Sequence, residues 1–242
     1  MNQRRAVALF LAVSTSWGCS LLVSTEGLAG SGSVGVTDAA DAGSDDGNAH
    51  DAKGANDAND AGDAPVLSIS FQLAPPTADL TSLGPRAWAH WGRLASTDID
   101  RRAGTPKSNI LFSASTSVQR FDNALTSFRW KDGAPTTTEP GTTTGVFLTG
   151  SGRPSVTFTI NVDPPELTAL VFVGGFQSTA ELTATVGDGA IASPASGQDF
   201  TAGIESVVYT VKVHTTTPVP LKITWARVSS AGNLDVLAIA VQ

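Results

Sequence analysis

The chain has 242 residues and a formal net charge of −7, from 15 basic and 22 acidic residues. One cysteine excludes an internal disulfide framework. The charge is concentrated in one tract: Thr37 to Pro65 holds eight aspartates and one lysine, while Val66 to Gln242 holds 13 acids and 12 bases, so the folded part offers no basic face for nucleic acid.

The first segment starts basic, at Arg4 and Arg5, and continues with the short apolar run "AVALFLAV", Ala6 to Val13. That run is too short to span a bilayer, which takes roughly 20 apolar residues. A basic start, a short apolar core and a small residue before a cut describe an export signal, residues 1–18. "WGCS" resembles the lipobox of bacterial lipoproteins, with Gly18 before the cut and Cys19 after it. Ser16 and Trp17 depart from the aliphatic and small residues usual there. The resemblance implies a lipid on Cys19 and attachment to a membrane. Ser20 after the cysteine implies sorting to the outer membrane, with display at the cell surface.

Residues 19–65 form an Ala, Gly and Asp-rich spacer. The aspartate tract has no large apolar residue, so it cannot bury enough surface to offset its ordering entropy and is expected to be disordered. Its "DAxDA" echoes are too irregular for calcium loops, which need fixed ligand spacing.

Residues 66–242 are long enough for one domain with a core. "VLSISFQLA" (66–74), "SVTFTINVD" (155–163), "ELTATV" (181–186), "VVYTVKVHT" (207–215), "LKITWARV" (221–228) and "NLDVLAIAV" (233–241) alternate with period two, which predicts half-buried strands. "LTALVFVGGF" (167–176) is apolar on both faces and predicts a central strand. Gly, Pro, Asp and Asn break these runs at turns such as "DPPE" and "SAGN". No stretch shows a helical period. About ten strands with turn signals predict an all-β, antiparallel two-sheet sandwich, with a jelly roll favoured over an immunoglobulin topology.

Four phrases in order, "WAHWG" (88–92), "DRRAG" (100–104), "SFRWKDGAPT" (127–136) and "GTTTGVFLTG" (141–150), resemble a β-sandwich module of secreted and surface bacterial proteins. That module is similar to the galactose-binding-like jelly rolls, many of them non-catalytic and carbohydrate-binding. The resemblance implies that fold and a binding role. Ala87 stands where the family has an aspartate, so that carboxylate's role is absent.

Candidate sites follow from residue types. Trp88 and His90 fall on one strand face and Trp91 on the other. They read first as packing and second as an aromatic platform for a sugar. Trp130 and Asp132, with the hydroxyls of Thr142, Thr143 and Thr144, could rim a loop-end polyol site, the bland alternative being a plain loop and strand. Asp98 and Asp100 could help hold a structural calcium or pair with Arg101 and Arg102. No other cofactor is implied.

Catalysis has little support. There is no G-x-S-x-G elbow and no H-E-x-x-H helix. The expectation is a non-enzymatic, surface-anchored module that binds carbohydrate or mediates adhesion. The alternative is a structural or protein-interaction sandwich with no small ligand. Exposed Trp and Phe around a concave site favour the first reading. Burial of all four domain tryptophans favours the second.

Overall fold

The computed structural model describes residues 65–187, 191–192 and 195–242. The export segment, Cys19 and the aspartate-rich spacer lie outside the described residues.

In chain order the strands are β1 (Val66–Leu73), β2 (Thr77–Asp79), β3 (Ala87–Trp91), β4 (Ile99–Arg102), β5 (Ile110–Ala114) and β6 (Val118–Phe121). Then come β7 (Ser127–Trp130), β8 (Gly133–Ala134), β9 (Glu139–Thr142), β10 (Gly145–Leu148), β11 (Ser155–Val162) and β12 (Glu166–Phe176). The rest are β13 (Thr179–Val186), β14 (Ile191–Ala192), β15 (Ser196–Asp199), β16 (Ile204–His214), β17 (Val219–Arg227) and β18 (Asn233–Val241). A single helical turn, α1 (Leu80–Leu83), follows β2, with the Asp79 carboxylate accepting from the Ser82 amide at 3.3 Å.

The strands form an antiparallel β-sandwich. One nine-stranded sheet runs β1–β16–β12–β18–β3–β4–β8, with β10 paired to β18 and β6 to β10. A six-stranded sheet runs β14–β13–β17–β11–β5, with β15 also on β13. Their facing sides make the main core, where Val156, Phe158 and Ile160 of β11 meet Val171, Val211 and Ile239 of the larger sheet. Burying such side chains contributes about 1.5–3 kcal/mol each.

A third layer was not predicted. β2, β7 and β9 form a small sheet, with β2 parallel to β7. Its Ala78, Phe128 and Trp130 pack on the outer face of the nine-stranded sheet, against Trp88, Phe172, Leu237 and Ala240. Strands β3, β12 and β18 are therefore covered on both sides. This explains why "LTALVFVGGF" is apolar throughout, as expected of a central strand. It also corrects the reading of "NLDVLAIAV" as half-buried, since eight of its nine residues are buried.

A bulge sets the facing of β18. Val173 pairs with Val236 and Phe172 with Ala238, so Leu237 has no partner on β12. One extra residue inverts the alternation. Leu234 and Val236 face the main core before it, and Ile239 and Val241 face that core after it. The bulge lies where β18 changes neighbour from β10 to β3.

The first strand departs in a second way. Leu67 and Ile69 pack on the core, but Phe71 and Leu73 are exposed, because β1 is an edge strand.

Candidate functional site

The aromatic residues of "WAHWG" and "FRWKDG" are interior. Trp88, Trp91 and Trp130 are each 1% exposed, and His90 is fully buried. Alternation along β3 sends Trp91 into the main core, with ring centroids 5.1 Å from Phe112 and 5.5 Å from Phe158. Trp88 and His90 point the other way, under the small sheet, where both lie against the Trp130 ring. Burial assigns these side chains to packing, because none has an indole or imidazole face left for a ligand. Trp225 is buried as well, so all four domain tryptophans are core. Gly92 follows β3 at φ 78°, a conformation that suits glycine.

Asp132 ties this cluster together. Its Oδ1 accepts from the Thr81 hydroxyl at 2.6 Å and from Trp88 Nε1 at 3.1 Å, and its Oδ2 lies 3.3 Å from Arg102 Nε. Trp130 Nε1 donates to the Thr136 carbonyl at 2.8 Å. Burial holds the His90 imidazole down at about 4, so it is neutral at physiological pH. A carbonyl only accepts, so Nε2 carries the proton it donates to Thr144 O at 3.1 Å, while Nδ1 has no partner.

The remaining sequence candidates are engaged internally. Thr142 and Thr144 share a hydroxyl hydrogen bond of 2.9 Å, and the Thr143 hydroxyl donates to the Asp122 carbonyl. Asp98 accepts from the Leu94 and Ala95 amides, and Asp100 from Arg93 and the Thr136 amide. The two carboxylates thus face different partners. Among the described residues no group of three or more His, Cys, Asp or Glu is arranged to hold a metal.

An open groove lies elsewhere, on the outer face of the nine-stranded sheet. Its volume is about 250 Å³. Register builds it. On β12, Phe176 lies opposite both Ile204 of β16 and Asn233 of β18. Asp235 of β18 lies between Gly174 of β12 and Phe147 of β10. Phe121 of β6 packs edge-on to Phe147, with centroids 6.3 Å apart. Phe121, Phe147 and Phe176 wall the groove, and Asn123, Asn233 and Asp235 supply its polar groups. Gly174 marks a close approach of backbones opposite Asp235, since a Cβ there would fall on the Glu205 carbonyl oxygen.

Asp235 is the unusual member. It is 6% exposed and lines the groove, yet among the described residues nothing donates to its carboxylate. Burial pushes its pKa up to about 7. An unpaired buried carboxylate is costly unless a donor arrives, and such groups in clefts mark functional sites. Sequence reasoning missed it. The one available signal was an acid between Leu234 and Val236 in an otherwise apolar strand.

No family model matches the chain, and no curated protein matches it. Among solved structures it is similar to the enzymatically active domain of tailspike protein 4 of bacteriophage CBA120, at 13% identity and a TM-score of 0.35. That match covers 56% of this chain and 20% of the tailspike chain. It is also similar to TmCBM61, solved in complex with beta-1,4-galactotriose, at 12% identity and a TM-score of 0.34, over 56% of this chain and 88% of that one. Neither likeness carries a ligand or an activity over to this chain.

Proposed function

We propose that this chain is an exported lipoprotein, acylated on Cys19 and held at the outer membrane surface, that displays a non-catalytic carbohydrate-binding sandwich. The sugar lies in the groove of Phe121, Phe147 and Phe176. One observation carries this reading: Asp235 is a buried, unpartnered carboxylate at a groove walled by three phenylalanines. A sugar ring offers C–H faces to the phenyl rings and hydroxyl donors to the carboxylate. The Asn123 and Asn233 amides both donate and accept, which suits further hydroxyls. Neither described histidine is hydrogen-bonded to a serine or threonine hydroxyl, since His90 Nε2 meets a carbonyl and His214 lies 3.8 Å from Glu166.

A structural or protein-interaction role is the second reading. Burial of all four domain tryptophans favours it, as does the exposed apolar end of β1 at Phe71 and Leu73. A glycan array probed with the intact chain separates the two. The binding reading expects signal for a family of related glycans, lost in Phe147→Ala. No glycan signal at all leaves the second reading standing.

A further inference from the structure

The "DIDRRAG" stretch leaves one cation without a counter-charge. Asp98 and Asp100, the acids next to it, are occupied by the 94–95 turn and by Arg93. Arg102 pairs with Asp132. Arg101 has no carboxylate partner among the described residues. Its Nη1 donates to the Ile110 carbonyl at 2.7 Å, and the rest of its guanidinium fork is unpaired. Burial lowers its pKa, as expected for a cation that nothing nearby compensates. Lys107 also forms no ion pair among the described residues.

Arg101 and Lys107 both line an open cavity of about 580 Å³, within the size range of small-molecule sites, and no acidic side chain lines it. Ile99 and Pro135 give it apolar wall, and Thr97 and Thr105 give it hydroxyls. We infer that this cavity is a second binding site, for a sugar residue bearing a carboxylate or a sulfate. The guanidinium fork of Arg101 and the Lys107 ammonium take the oxyanion. The threonine hydroxyls take neighbouring ring hydroxyls, and Ile99 and Pro135 take the C–H face. The site shares no residue with the phenylalanine groove, so it stands or falls separately.

Calorimetric titration of the intact chain tests it, with trigalacturonate, galactose 6-sulfate, a neutral galactose oligomer and inorganic sulfate as probes. At least one acidic sugar is expected to bind, more weakly as salt rises. Trigalacturonate binding alone assigns the carboxylate, and galactose 6-sulfate binding alone assigns the sulfate ester. Arg101→Gln and Lys107→Gln should each weaken that binding on the order of tenfold, the effect of losing one charge-assisted contact. Phe147→Ala should leave it unchanged. Because Arg101→Gln also loses the bond to Ile110, Lys107→Gln, on an exposed side chain, decides the matter if the first variant melts early. The inference is overturned if neither acidic sugar binds, if both variants bind as the parent does, or if inorganic sulfate binds as tightly as the sugars.

Discussion

Replacing Asp235 by Asn removes a charge that burial penalises, and the effect depends on pH. The carboxyl has a pKa of about 7 in the fold, against an ordinary value of 3.8. A folded pKa raised in this way gives stability that is complete below about pH 4 and lost as pH rises through about 7. At about pH 8 the loss is about 4 kcal/mol, from roughly three pKa units at 1.36 kcal/mol each. His90 acts with the opposite sign. Its pKa is about 4 in the fold against 6.5 ordinarily, so its stability is present above 6.5 and lost as pH falls to 4. That loss is on the order of 3 kcal/mol. Between about pH 4 and 6.5 the unfolded chain binds the extra proton at His90 and the folded chain binds it at Asp235, so the two slopes nearly cancel. The parent should then show a flat stability profile in that window. Asp235→Asn should expose the histidine slope, gaining about 1.4 kcal/mol per pH unit up to 6.5. It should pull ahead of the parent from about pH 5 upward, with the full gap of about 4 kcal/mol reached just above pH 7. Urea denaturation at four pH values, with m unchanged, reads this directly. If the variant tracks the parent at every pH, Asp235 is not a buried, uncompensated acid, and the groove loses its main support.

Other outcomes are expected from the same structure. Trp91→Ala should cost about 3–5 kcal/mol by urea denaturation, since the indole fills the core beside Phe112 and Phe158; a parent-like melt contradicts that packing role. Arg227 is 1% exposed and donates to the carbonyls of Gly150, Gly152 and Gly232. Arg227→Leu should cost about 3 kcal/mol and speed hydrogen exchange in the loops around those glycines, and unchanged exchange argues against such a clamp. Cys19→Ser should move the protein from the membrane to the soluble fraction, and the parent should label with a palmitate analogue. A parent that takes no label ends the lipoprotein reading.

The strands legible from sequence are those with one buried face. Val156, Phe158, Ile160 and Val162 alternate with Thr157, Thr159 and Asn161 because β11 faces the core on one side only. Where a strand is covered twice, that signal disappears. β18 reads as an alternating strand only if the bulge at Leu237 is ignored, and plain alternation leaves Asp235 on a solvent face. The third layer was illegible because its strands are three or four residues long. Moreover, β2 pairs with β7 across about 50 residues of chain. Packing is the first sequence reading of Trp88 and His90, and the platform stays open as the second because nothing in the sequence shows the layer that covers their face. The groove gathers side chains from β6, β10, β12, β16 and β18, so no local phrase announces it. Phe128 and Trp130, by contrast, share a buried face as alternation predicts, with Arg129 exposed.

Mapping the binding surface decides whether the phenylalanine groove holds the sugar. Backbone amide shifts of the folded residues would be followed by NMR as a neutral glycan selected on the array is added. A sugar held in the groove should shift Phe121, Phe147, Phe176 and Asp235, and Phe147→Ala should lose binding while still melting cooperatively. Shifts confined to the exposed edge of β1, or binding that survives Phe147→Ala in full, would contradict that placement.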